Sequence, residues 1–416
     1  MNTDTEKATK KKHLMLISLD AVSSDDLKLL SKLPNFAKLM SKGTLVRDVS
    51  SVFISNTYPA HTSIITGVHP NKHGLWDNVN TDLRKEYSDW RYNANEVLAP
   101  TLYQHAAKNG YKVCSIMYPV TGGAKSIRYN LPEIPGNMNI LRRAWIMLTK
   151  GSTGYTLSSI LRNIKDFKGI NEPELDNFTT RIACDTIIRK KPNVLMLHLI
   201  DADTQKHDFG PESEQAYDAI RRHDKRLGDI MNALEKAGIY EDTSFIVFSD
   251  HGCLPVKAAV NPNSILRENG LIRYKGEKVT DYDCYFHIAG GTAFLKLCNP
   301  QKKMQVQSVV EKMQSAPCFG RILTDEEMEI SGAKRFGGFM LGIEAAEGYS
   351  FGKHKPGQHG YGLKREGYNP FYLAVSDKTP QGKTLNGGCI TDICPLAADI
   401  LNIPKWNMDG KNRLEM

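Results

Sequence analysis

The stretch Ser55-Asn56-Thr57-Tyr58-Pro59-Ala60-His61-Thr62-Ser63-Ile64-Ile65-Thr66-Gly67 decides how the rest of the chain is read. A strand-like run at 44–53 leads into it. An apolar helical run leads out and stops at Gly67, a residue suited to a helix end. Thr57 therefore falls where a strand turns into a helix. Backbone N–H groups are free at such a turn, and the helix dipole points its positive end there. That setting suits an oxyanion and eases the loss of a hydroxyl proton. Taken alone, the same threonine reads as a helix cap. The company it keeps elsewhere in the chain tips the balance.

Working outward, short and mostly apolar runs end at polar groups. Residues 14–19 end at Asp20, 193–200 end beside Asp201 and Asp203, and 243–249 end at Asp250-His251. Such runs are expected of buried parallel strands. Further strands are expected at 112–118 and 371–376. Helical spacing marks 25–41, 100–109, 174–189, 212–237 and 391–401. The alternation predicts an α/β fold with a mostly parallel central sheet flanked by helices. Two stretches interrupt it. Residues 134–171 are rich in Gly, Asn, Ser and basic residues and hold Trp145, which suggests an inserted cap or lid. Residues 253–355, with a strand expected at 291–297 and a helix at 301–314, suggest an inserted, smaller α+β subdomain. Residues 1–12 read as a flexible basic tail and 13–416 as a single domain. A chain of 416 residues also fits a length prior of two or three domains.

In parallel sheets ligands bind beyond the carboxyl ends of the strands. Asp20, Thr57, Asp203 and Asp250-His251 all fall there. Asp203 and His207 stand four apart, close enough to share one ion, and His359 lies between Gly357 and Gly360. Aspartate and histidine suit zinc and similar divalent cations. Each residue alone is better read as a cap or a loop residue; the set is what reverses that. Three carboxylates and a deprotonated Thr57 would be balanced by two divalent cations. Two such ions, ~4 Å apart, can clamp the attacking and leaving oxygens of an in-line displacement at phosphorus.

These residues resemble the alkaline phosphatase superfamily, and within it the nucleotide pyrophosphatase/phosphodiesterase family. Leu19-Asp20 is similar to the family's first-strand aspartate. Asn56 to Gly67, Pro70 and His73-Gly74 are similar to its nucleophile signature, and Asp77-Asn78 to its asparagine turn. Asp203 to His207, Ser249 to Gly252 and Gly357 to Tyr361 are similar to its three metal motifs. The resemblance implies an alkaline phosphatase-like domain with two Zn2+, one held by Asp203, His207 and His359, the other by Asp20, Asp250 and His251. Thr57, on or between them, would attack phosphorus and form a covalent threonine intermediate. Asn78 and the Thr57 N–H would bind a non-bridging oxygen. Tyr58 is expected either to stack on the substrate or to pack in the core. The chain departs from the pattern at Ala60, where many members carry Asn. It also lacks a disulfide-rich framework and has no clear counterpart to 134–171.

The implied activity is hydrolysis of phosphodiester or pyrophosphate bonds in a small phosphate ester or nucleotide. The alternatives are a phosphomonoesterase or phosphonate hydrolase, with Lys72, Lys125 and Arg128 as candidate phosphate grips, and a catalytically idle phosphate-ester binding protein. The Cys- or Ser-x-Pro-x-Arg pattern of a sulfatase is missing. The net charge of +8 is dispersed, so no nucleic-acid polymer is expected as partner. Eight scattered cysteines form no CxxC pair and are expected as free thiols. No apolar stretch approaches the ~20 residues of a membrane span. A cytoplasmic protein is expected.

Overall fold

The computed structural model of the chain describes residues 11–86, 88–135 and 139–415; the first ten residues of the expected tail and 136–138 of the expected cap lie outside them. Lys11 and Lys12, also read as tail, are tied down: Lys11 Nζ donates to Gly110 O at 2.6 Å and Lys12 pairs with Asp377 at 2.6 Å.

Eight strands build the central sheet: β1 (His13–Leu19), β2 (Thr44–Arg47), β3 (Val113–Ile116), β4 (Tyr129–Leu131), β5 (Val194–Leu199), β6 (Thr243–Phe248), β7 (Tyr372–Val375) and β8 (Lys383–Asn386). Their order is β8-β2-β7-β6-β1-β5-β3-β4. Every neighbouring pair is parallel except those made by β7, which runs antiparallel to β2 and β6. The central strand β1 is buried along its whole length. Its side chains alternate faces, as the period of two requires. Met15, Ile17 and Leu19 enter one apolar cluster, Leu14 and Leu16 the other. Each such side chain contributes ~1.5–3 kcal/mol by leaving water.

Helix α1 (Thr57–Thr66) covers the second face and is buried at every residue. Gly67 closes it at φ 74°, a left-handed conformation that glycine adopts without strain. Helices α2 (Ile140–Lys150) and α3 (Thr153–Asn163) follow β4. Helix α4 (Glu174–Lys190) leads into β5, α5 (Asp201–Phe209) leaves it, and α6 (Glu214–Ala237) leads into β6. α4 and α6 pack on the first face through Ile182, Ile187, Leu227 and Leu234.

Three local departures from the sequence reading have physical reasons. The run 25–41 is two helices, Leu27–Leu30 and Pro34–Lys42, because proline lacks the N–H a continuing helix needs. The run 44–53 is a strand only to Arg47, since Asp48 turns to φ 52° and pairing resumes only at the Ser50 bridge to Cys389. The expected cap is only partly one. α3 buries Tyr155, Thr156 and Ser159, and Tyr155 Oη lies 2.8 Å from Thr186 Oγ1 of α4, so this half joins the helical layer. Residues 253–355 contain a four-stranded antiparallel sheet (Cys284–Ala289, Thr292–Leu297, Leu341–Ala345, Phe319–Ile322). Helix Lys303–Met313 adds Val306 and Val310 to its core.

Candidate metal centre and nucleophile

Beyond the carboxyl ends of β1, β5 and β6, six side chains converge in two groups. Asp203, His207 and His359 form one, and Asp20, Asp250 and His251 the other; in each, one ligand atom per residue lies within 4.8 Å of the rest. Asp203 and His207 share a face of α5 because they stand one helical turn apart. His207 Nε2 lies 3.4 Å and His359 Nε2 4.0 Å from Asp203 Oδ1. His251 Nε2 lies 3.4 Å from Asp20 Oδ1 and 3.2 Å from Asp250 Oδ2. The two groups adjoin through the stacked rings of His251 and His359, 4.2 Å apart.

The three imidazoles are oriented alike. Nδ1 of His207 donates to Gly357 O at 2.8 Å, that of His251 to Gly252 O at 3.1 Å, and that of His359 to Asn56 Oδ1 at 2.8 Å. With Nδ1 committed, every Nε2 faces the carboxylates as a lone-pair donor. Asp20 Oδ1, Asp203 Oδ1 and Asp250 Oδ2 are buried with no hydrogen-bond partner among the described residues. Buried carboxylate oxygens without donors, met by imidazole lone pairs, fit divalent cations.

The charges strain one another accordingly. Burial, then Asp250 and Asp203, push the Asp20 carboxyl up to about 8. Burial also disfavours the charged form of Asp250, but His251 and His61 outweigh it and hold that carboxyl well below the usual range. Burial lowers His251, while Asp250, Asp20 and Asp203 raise it on balance. Burial and the neighbouring His251 and His207 depress His359 strongly.

Thr57 opens α1 with its Oγ1 3.4 Å from His251 Nε2. Its N-cap residue, Asn56, makes no side-chain cap. Asn56 instead donates from Nδ2 to Asp77 Oδ1 at 2.6 Å while accepting from His359. Asp77 Oδ1 also accepts the Asn78 N–H at 2.7 Å, and Asp77 Oδ2 meets His287 Nε2 in a short contact. Asn78 Oδ1 accepts the Tyr58 N–H at 2.8 Å, which leaves its Nδ2 free to donate. Asp77 thus joins a histidine of one group to the asparagine beside the nucleophile.

Of the two readings of Tyr58, the geometry favours packing: the ring is fully enclosed with Leu75 and Val120 and makes an edge contact with Trp90 at 5.3 Å. A ring without exposed surface cannot stack on a substrate, so its expected substrate-binding role is corrected. Asp201 is engaged by Arg222 at 2.7 Å and Arg226 at 2.8 Å, away from both groups.

The sequence reading gave no role to His61, His198 and His287, and placed Asn56 and Asp77 only as members of the family motifs. His198 Nε2 lies 2.9 Å from Asp20 Oδ2, and His61 Nδ1 lies 3.3 Å from Asp250 Oδ2. His198 had a signal, as a lone polar residue near the end of an apolar strand. His61 sits one turn after Thr57 on a buried helix. His287 comes from the inserted subdomain and gave none.

Comparisons with known proteins identify the family and the fold. The model of the type I phosphodiesterase / nucleotide pyrophosphatase family matches residues 14–368. The chain is 23% identical over 419 residues to a mouse bis(5'-adenosyl)-triphosphatase, covering 95% of this chain and 79% of that protein. It is 25% identical to human ectonucleotide pyrophosphatase/phosphodiesterase family member 1 over 57% of this chain and 23% of the relative. With the human bis(5'-adenosyl)-triphosphatase the match takes in 47% of the relative's length. In fold it is similar to murine ectonucleotide pyrophosphatase / phosphodiesterase 5 in an inactive threonine-to-alanine form in complex with AMP. That likeness has TM-score 0.66 and 19% identity over 97% of this chain and 98% of that one. The human counterpart gives TM-score 0.68 and 20% identity over 97% of both chains. The chain therefore belongs to the type I phosphodiesterase / nucleotide pyrophosphatase family of phosphoric ester hydrolases.

Proposed function

We propose that this protein hydrolyses a nucleotide phosphodiester or pyrophosphate through a covalent threonine intermediate on Thr57. Asp203, His207 and His359 would hold one Zn2+, and Asp20, Asp250 and His251 the other. The ions would supply positive charge and Lewis acidity where a hydroxyl must ionise near neutral pH. Thr57 Oγ1, its proton given up to solvent, attacks phosphorus from the N-terminus of α1, where the dipole favours negative charge; the P–O bond to the leaving alcohol or phosphate breaks, and that oxygen departs and takes up a proton from solvent. The Asn78 Nδ2 and the Thr57 N–H bind the non-bridging oxygen, and Asp77 holds the Asn78 turn in place. Water then cleaves the threonine ester and restores the hydroxyl.

The observation that carries this reading is the meeting of three imidazole Nε2 atoms with three donor-less carboxylate oxygens beside the Thr57 hydroxyl. The AMP held by the structurally similar murine protein supports a nucleotide as substrate. A monoesterase reading is weaker, because two of its candidate grips are occupied. Lys72 pairs with Asp409, and Arg128 lies over the Tyr129 ring at 5.7 Å. Eight cysteines without disulfide partners support a reducing, cytoplasmic setting.

The test is hydrolysis by zinc-loaded protein. Bis-p-nitrophenyl phosphate should turn over faster than p-nitrophenyl phosphate, and chelator or Thr57→Ala should abolish the rate. Preference for the monoester would overturn the diesterase reading. A wild-type rate in Thr57→Ala, in protein whose rate chelator abolishes, would overturn the nucleophile.

A further inference from the structure

Of the thirteen large apolar side chains that stand exposed among the described residues, seven lie between 141 and 170. They are arranged as outward stripes rather than scattered. On α2, Leu141 and Trp145 stand one turn apart and are 77% and 68% exposed. On α3 and at its C-cap, Leu157, Leu161 and Ile164 follow at spacings of four and three, with Leu161 60% exposed. The opposite face of α3 carries the buried Tyr155, Thr156 and Ser159. A helix normally turns its apolar stripe to the core. Here an apolar stripe faces solvent.

The same segment is strongly basic. Residues 139–171 hold six Lys and Arg against one Asp, which is five of the chain's net +8. Arg142, Lys150, Lys165 and Lys168 have no acidic partner among the described residues. A tryptophan and aliphatic residues flanked by unpaired cations is the composition of an interfacial helix at an anionic lipid surface. A patch of this kind on a soluble protein marks an interaction site.

Its place in the fold points the same way. Just past β4, Glu133 lies 3.4 Å from His198, the partner of Asp20, and Arg143 of α2 donates to the adjacent Ile134 O at 3.2 Å, which ties α2 to the edge where the candidate ligands stand. The chain returns to that edge at the start of α4, where Asp176 accepts the Asp201 N–H at 2.9 Å. Phe167 packs on Phe178 of α4 at 5.1 Å, and Ile170 shares a pocket with Phe209 at the end of α5. On the other side, Arg142 and Ile146 wall a groove of 1140 Å³ with Trp90 and Arg91. The Arg91 N–H donates to Asn78 O at 3.0 Å, so that groove borders the Asn78 turn.

We propose that residues 139–171 seat this protein on an anionic phospholipid bilayer, with the catalytic edge of the sheet turned toward the headgroups. Binding needs no catalysis, so it can be read separately from the proposed function.

The test is co-sedimentation of the full chain with vesicles of phosphatidylcholine alone or with added phosphatidylserine. Two double variants are compared with wild type: Trp145→Glu with Leu161→Glu, and Lys165→Glu with Lys168→Glu. The expected result is binding only to vesicles containing phosphatidylserine, reduced about tenfold or more by either pair and weakened by salt. Solution hydrolysis of bis-p-nitrophenyl phosphate should stay at the wild-type rate in both variants, which also verifies that they fold. Absence of wild-type binding, or binding unchanged by both pairs, overturns the proposal. So does a concentration-dependent dimer in light scattering that Trp145→Glu with Leu161→Glu abolishes, because a second copy would then cover the patch.

Discussion

Two buried acidic clusters lie within one sheet edge of each other, and they solve the same electrostatic problem differently. Asp176, Asp201 and Glu172 gather where α4 and α5 meet. Arg226 reaches Asp201 at 2.8 Å and Asp176 at 3.4 Å, and Arg222 adds a second bond to Asp201 at 2.7 Å. Asp176 also accepts two backbone N–H groups, from Ile200 and Asp201. Burial, then Asp176 and Asp201, push Glu172 up to about 9, so it stays protonated at neutral pH. Two carboxylates, two guanidinium groups and one neutral acid balance internally. Asp20, Asp203 and Asp250 pair with no guanidinium or ammonium among the described residues; the buried Lys206 Nζ nearby is taken by Asp26 and by the Ala21 carbonyl at 2.8 Å. Three oxygens lack donors, and the neighbours are imidazoles that turn lone pairs inward. A charge that a fold does not neutralise from its own side chains is one it leaves for something else to neutralise.

The comparison can be broken by substitution. The largest effect is expected for Thr57→Ala, which should lower the hydrolytic rate ~10³-fold or more while leaving metal content intact. Removing a cluster's charges should then separate the two sites by property. Arg226→Ala should cost ~3–5 kcal/mol of stability in urea unfolding, because it strands buried carboxylates, and should leave the metal content unchanged. His359→Ala should do the reverse, lowering metal content with little loss of fold. Asn78→Ala should reduce kcat ~10²–10³-fold with a smaller change in KM, as expected for an oxyanion donor. A drop confined to KM would contradict that role.

The smallest expected effect concerns acid. His73 is held neutral: its Nδ1 accepts the Leu75 N–H at 3.1 Å and its Nε2 lies 2.8 Å from Ser63 Oγ. Burial, then His69 and Arg91, push it down to about 3 from 6.5. The unfolded chain takes up this proton below 6.5 and the folded chain does not, so the stability is full above 6.5 and is lost as pH falls toward 3. His73→Gln should flatten the decline by ~1.4 kcal/mol per pH unit in metal-loaded protein. An unchanged slope would show that His73 charges within the fold.

How much of this was legible in the sequence follows from locality. Asp20, Asp203 and Asp250 each end an apolar run, and parallel strands bring such ends to one edge, so pattern alone placed them together. Thr57 was legible because a strand-like run leads into it and a helical run closed by Gly67 leads out, which puts it at a helix start. The layer that orients them was not. His359 is held by Asn56, which is held by Asp77, which meets His287 from an inserted sheet; contacts at separations of 303, 21 and 210 residues leave no local periodicity. Tyr58 was ambiguous because a residue next to a nucleophile can point either way, and only the packing of Trp90 against it favoured the core. The insertion at 134–171 was visible as a break in pattern, but not that half of it would join the helical layer through Tyr155.

The most direct measurement is metal content per chain after zinc supplementation and dialysis, on wild type, His359→Ala, Asp250→Asn and Glu172→Gln. The account predicts two divalent ions in wild type, fewer in the first two variants, and two in Glu172→Gln. Metal-free wild type, or loss of metal in Glu172→Gln with retention in His359→Ala, would contradict it.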